Sequence, residues 1–180
     1  QRIDHHRLVV EDADGVAIVR GLGAELIPVE IREMNYGAMR MIPSAEAAAF
    51  FDELTRSGRD ALMAQQGAGS WPNTFRTARF TPAVEYINAN RARTLAMQAW
   101  AELFSTVDVI IAPTSGTQLT VTNLTGHPAV ILPNGFRENG TPVSITFLAG
   151  LYGEAKLMAG ANANQRAMDF HLRHPLLGWV

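Results

Sequence analysis

The apolar and polar positions of the chain change period several times. From Val16 a helix-like spacing runs to the breakers Gly21 and Gly23; Glu25-Leu26-Ile27-Pro28-Val29-Glu30-Ile31 then reads as a short extended run that its proline confines to a sheet edge. Ser44 after Pro43 predicts an N-cap with Glu46 in the first turn, and Ala47, Phe50, Leu54 and Ala61 keep one face of that helix apolar toward Gly67. Residues 67–79 hold glycines, Ser70, Trp71-Pro72-Asn73 and two arginines without periodicity, which predicts a long loop. Thr81-Pro82 opens the next helix, since threonine caps and proline is tolerated at the first helical position. Along it Ala89, Ala92, Ala96, Ala99 and Leu103 step by three and four, a small-residue stripe that lets a helix lie close to its neighbour.

The second half alternates strands and helices. Residues 107–112 and 129–132 are short β-branched runs bounded by Pro113 and Pro133, and 142–148 is a third, joined to the second across Glu138-Asn139-Gly140, where Asn-Gly suits a tight hairpin turn. A last helix starts at Gly153 with Leu157, Ala161, Met168 and Leu172 on one side, and the chain closes with residues 175–180. The alternation predicts an α/β fold, and the antiparallel hairpin makes its sheet mixed, with helices flanking it. Nothing reads as a repeat or a linker, so residues 1–180 are expected to form a single domain.

Composition agrees with one hydrophobic core: 180 residues, 47% apolar, 18% charged, formal net charge −2. Basic residues are scattered, which argues against nucleic acid, whose binding draws on clustered Lys and Arg. Cysteine is absent, and with it disulfides, thiolate nucleophiles and sulfur-ligated zinc. No apolar run approaches the ~20 residues that span a bilayer, and residues 1–7 lack the apolar core of a signal peptide, so no membrane partner and a cytoplasmic location are expected. The sequence does not open with Met, the expectation being a processed product or a piece of a longer polypeptide.

Direct chemical motifs are few. There is no Gly-x-Ser-x-Gly turn and no phosphate-cradling glycine pattern. His5 and His6 are adjacent and diverge on any regular element, while His171 and His174 suit the C-terminal dipole of a helix. No metal and no cofactor are expected. The single lysine, Lys156, lies beside Glu154 at helix-surface spacing and reads as solvated.

One stretch is specific. Residues 108–136 run DVIIAPT, SGTQLTVT, NLTGHPAVILPNGF, an order that resembles the C-terminal third of amidase-signature proteins, a family that includes bacterial amidases and the A subunits of glutamine-dependent tRNA amidotransferases. TPAVEYINANRAR upstream, GTPVSITFLAGLYGEAKLMAGANANQRAMDFHLRHP downstream and Gly23-Ala24-Glu25-Leu26-Ile27-Pro28-Val29 resemble the family's flanking segments in the same order. The resemblance implies the C-terminal part of the amidase-signature fold and hydrolysis or transfer of small-molecule carboxamides through a Ser, cis-Ser and Lys triad. In the family that triad lies in a Gly/Ser-rich signature and a preceding lysine segment, N-terminal to the matched region, and neither segment stands in this sequence. No catalytic residue is therefore assigned. The expected partner is the N-terminal remainder of an amidase, or a second copy by self-association; the alternative is a non-catalytic binding or interaction module derived from the same fold.

The residues of the matched stretch also suggest a pocket. Pro113 ends a strand and sets Thr114 and Ser115 at its C-terminal end, where open α/β sheets collect ligands. The following polar loop, residues 114–122, carries hydroxyls and the amide of Gln118 without charge, groups that orient a carboxamide. Asn123 suits a turn and His127, between Gly126 and Pro128, suits packing. The candidate substrate-binding residues are Thr114, Ser115, Gln118 and Asn123, and Gln118→Ala is expected to weaken substrate use while leaving the fold stable.

Overall fold

The structure, a computed structural model of the chain, describes residues 13–173, with side-chain surroundings from residue 17 onward. His5, His6, His174 and the closing residues 175–180 lie outside the described residues. The chain packs as two compact units, residues 34–97 and the remainder, and the second of the two boundaries falls inside one long helix.

In residues 34–97 the helix α2 (Tyr36–Met39) is capped by Asn35, whose side chain accepts the Ala38 N–H at 3.1 Å. The next helix, α3 (Met41–Phe50), starts before the predicted Ser44 cap. Pro43 falls in its first turn, where a missing N–H costs no helical bond, and the Ser44 hydroxyl donates back to the Arg40 carbonyl at 3.0 Å. The helix predicted to reach Gly67 is broken at Phe51 into α4 (Asp52–Arg56) and a 3-10 turn, Arg59–Leu62, entered through Gly58 at φ 72°.

The predicted loop 67–79 is instead mostly helical. It contains α5 (Trp71–Ala78), with Ser70 at the N-cap position and Pro72 in the first turn, so the proline starts a helix here. Phe75 is buried and stacks on Phe51, and Arg76 pairs with Asp60, whose carboxylate is buried, at 2.5 Å. The helix α6 (Ala83–Phe104) follows as expected, with Ala96 and Ala99 of its small-residue stripe buried.

The other unit holds α1 (Ala13–Gly21), then the predicted edge strand, which among the described residues forms no ladder and contributes one bridge residue, Glu30. After α6 come β1 (Val109–Pro113), α7 (Thr117–Thr125), β2 (Ala129–Phe136), β3 (Pro142–Ala149) and α8 (Glu154–Arg166), with a 3-10 turn at Phe170–Leu172. The strands form a sheet of order β1-β3-β2. The class is α/β with flanking helices. Both pairings among the described residues are antiparallel, because β3 inserts between β1 and β2, which themselves run the same way.

The hairpin turn closes through Arg137 N–H to the Thr141 carbonyl at 2.9 Å. Of the Asn-Gly pair only Gly140 has positive φ, 78°; Asn139 contributes its side-chain oxygen, which accepts the Thr141 N–H at 3.1 Å. One face of the sheet supplies Leu132, Ile145, Phe147 and Ala149 to a core completed by Leu157 and Ala161 of α8, with Val19, Val109 and Ile111 packed against it. The helical stripe stops there: α8 ends at Arg166, and Leu172 is exposed in the 3-10 turn.

Candidate functional site

The junction of β1 and α7 gathers most of the predicted pocket residues. Thr114 follows the last residue of β1, and the β1–β3 register, Pro113 opposite Ile145 and Ala112 opposite Thr146, brings hydroxyls from β3 beside it. Its Oγ1 donates to the Ser144 carbonyl at 3.1 Å and lies 2.8 Å from the Ser144 hydroxyl, with Thr146 Oγ1 at 3.5 Å. Ser144 and Thr146 were missed by sequence reasoning because only the strand register makes them neighbours of Thr114; two hydroxyl residues alternating on one strand were the available signal.

The predicted polar loop 114–122 is largely the helix α7. Gly116, at φ 135°, turns the chain into it. The buried positions Gln118, Val121, Thr122, Leu124 and Thr125 recur at helical spacing, yet three of the five are polar, which hides the helix from a hydrophobic pattern. Gln118 is 3% exposed, and its Nε2 donates to the Pro113 carbonyl at 2.5 Å and the Ser115 carbonyl at 3.0 Å. The side chain thus ties the strand end to the helix start. Ser115 is exposed between these anchors. Asn123 forms no turn: it is exposed on α7, about 140° around the helix from Gln118 at 3.6 residues per turn. The structure therefore brings Thr114, Ser115 and Gln118 together and leaves Asn123 apart.

What this junction offers chemically is hydroxyls at an open strand end and the first turn of a helix that has no side-chain cap. Backbone N–H groups at such a helix start attract carbonyl oxygens and anions. The ionisable groups nearby do other things. Lys156 Nζ sits 2.7 Å from Asp108 Oδ1 in an ion pair whose side chains are both largely exposed, and that hydrogen bond holds the Asp108 carboxyl below the usual range. Ser70 donates to the Gly67 carbonyl. His127 is buried against Trp100 and Phe104, ring centroids 5.3 and 5.2 Å away, and burial lowers its pKa. Thr125 Oγ1 lies 2.8 Å from the Val121 carbonyl and 2.7 Å from His127 Nδ1, so the hydroxyl links the ring to α7. His171 is exposed. Among the described residues no three His, Asp or Glu side chains converge as a metal site, and no helix is long and apolar enough to cross a membrane.

No family model matches the chain. Individual proteins do. The chain is 28% identical over 197 residues to the A subunit of the glutamyl-tRNA(Gln) amidotransferase from Synechococcus sp. (strain JA-3-3Ab), a match covering 87% of this chain and 38% of that protein. It superposes on a bacterial aryl acylamidase of the amidase-signature family with TM-score 0.72 at 16% identity, covering 89% of this chain and 40% of the other. The chain shares its fold with amidase-signature enzymes. A 6-aminohexanoate cyclic dimer hydrolase shares the fold at TM-score 0.67 and 18% identity, over 92% of this chain and 44% of that one. The amidase-signature likeness thus runs through both units of the chain, while the chain spans under half the length of each of these proteins.

Proposed function

We propose that the chain is the C-terminal portion of an amidase-signature hydrolase acting on carboxamide C–N bonds, and that residues 1–180 serve there as one domain portion supplying part of the sheet and a wall of the substrate pocket. The observation that carries this reading is the β1–α7 junction, an uncharged set of hydroxyls and uncapped helix N–H groups, in a chain whose relatives bear amidase and amidotransferase names. Thr114 and Ser115 face the substrate amide in this reading, Gln118 holds them in place, and Asn123 lies at the periphery. The Ser/cis-Ser/Lys triad comes from the N-terminal remainder of the enzyme, the partner of this portion, and the setting is cytoplasmic.

Two features support assigning the triad elsewhere. The sole lysine is engaged with Asp108 on the surface, and a serine needs an adjacent base to become a nucleophile. The chain alone is therefore catalytically silent. Purified chain incubated with simple aliphatic and aryl amides is expected to release no ammonia or amine above the buffer rate. Turnover that Ser115→Ala abolishes would relocate the nucleophile to this chain and sink the reading.

A further inference from the structure

We propose that Asn139-Gly140, at the tip of the β2–β3 hairpin, is a site of spontaneous deamidation through a succinimide, and that the fold withholds the same chemistry from Asn134-Gly135. These are the two Asn-Gly pairs of the sequence. Asparagine is a labile side chain, most of all before glycine, which has no Cβ to shield its backbone nitrogen or to restrict rotation toward the amide. Both pairs therefore start from the same chemistry, and their surroundings separate them.

The step balances between the chain and water. The Gly140 nitrogen gives its proton to solvent and bonds to Asn139 Cγ; the Cγ–Nδ2 bond breaks, and Nδ2 takes up a proton and leaves as ammonia. Water then opens the succinimide ring at either of its carbonyls. The product is an aspartate or an isoaspartyl link, in which the main chain runs through Cγ. One water is consumed, one ammonia is released and one carboxylate is gained, which moves the formal net charge of −2 one unit further negative.

At the hairpin tip residues 136–142 are all exposed. Asn139 Oδ1 accepts the Thr141 N–H at 3.1 Å and the Thr141 hydroxyl at 2.7 Å, donors that draw electron density from Cγ and meet the oxyanion formed as nitrogen adds. What must open is the bond from the Gly140 N–H to the Arg137 carbonyl, 2.8 Å, in a turn that water already surrounds. The other pair lies inside β2. Asn134 is 6% exposed, and a Cβ on Gly135 would stand 3.7 Å from the Phe170 ring. The backbone rotation that ring closure needs would there disturb the strand and displace Phe170.

Trypsin puts the two pairs on different peptides, since it cuts after Arg137 and Lys156. The 180-residue chain, shown to be folded by a cooperative melt, is incubated without substrate at mildly alkaline pH, digested and mapped by mass spectrometry. Residues 138–156 are expected to gain aspartate and isoaspartate at least ~10-fold faster than the peptide ending at Arg137, while ammonia levels off at one per chain. In urea the two pairs are expected to convert at closely similar rates, and Asn139→Gln to remove the release from the folded chain. Equal conversion in the folded chain, or faster conversion at Asn134, overturns the proposal. A preference of ~10-fold that persists in urea assigns it to sequence instead of fold and also overturns it, as does undiminished ammonia from Asn139→Gln. This release needs no added amide and ends after one event per chain, so it stands or falls separately from the hydrolase function proposed above.

Discussion

His127 is a packing residue whose burial makes it sensitive to pH. Its position between Gly126 and Pro128 favours packing, and the structure buries the ring against Trp100 and Phe104 with its Nδ1 2.7 Å from Thr125 Oγ1. Burial disfavours the charged imidazolium, so the folded pKa lies below the ordinary 6.5. Between those two values the unfolded chain holds more protons than the folded one. The stabilisation is therefore complete above 6.5 and is lost as pH falls from there through the folded pKa. Melting temperature measured from about pH 7.5 down to about pH 5 is expected to fall more steeply for the parent chain than for His127→Phe, which keeps the ring contacts and removes the titration. Parallel curves would show that the ring titrates without linkage to folding. The surface position of Lys156 is legible at this scale because its sequence neighbours are local, whereas its partner Asp108, 48 residues away, is not.

At the scale of elements, long apolar periodicities are readable and polar or proline-led helices are not. α6, the three strands and the hairpin follow from runs and turn residues, but α5 begins at Trp71-Pro72 and α7 buries an amide and hydroxyls, so each resembles loop in the sequence. That difference changes what Gln118 does. Its amide points inward to two carbonyls that join β1 to α7, so its first effect is on the fold. Gln118→Ala is expected to cost about 1–3 kcal/mol, the usual penalty for leaving buried polar groups unpaired. Gln118→Glu is expected to cost more, because a carboxylate would face those carbonyl oxygens with no donor in its ionised form. Urea unfolding of both variants with unchanged m-values checks this, and a midpoint for Gln118→Ala equal to the parent would remove the residue from the junction. In the complete enzyme, a loss of turnover in Gln118→Ala would then be read through displacement of Thr114 and Ser115.

Across the whole molecule, the class and the likeness to amidase-signature proteins are legible because residues 108–136 and their flanks keep their order, whereas the division into two units is not, since no linker or change of composition marks it. Surface chemistry carries a further consequence. In residues 34–97 the rings of Phe50, Phe51, Phe75 and Trp71 form a contact row, with centroid separations of 4.9, 4.9 and 5.5 Å. Phe50 at its end is 82% exposed, Trp71 is 57% exposed, and Phe80 nearby in sequence is 86% exposed. Exposed apolar rings promote association, and because Phe50 and Phe80 bury little, replacing these two changes folding by only about 0.5 kcal/mol or less. The chain alone is accordingly expected to self-associate as its concentration rises, and the double variant Phe50→Ser with Phe80→Ser to shift sedimentation toward the monomer at an unchanged melting temperature. An unshifted sedimentation profile would show that these rings do not drive association. A large drop in melting temperature would show that they are packed in the folded chain, in conflict with their exposure.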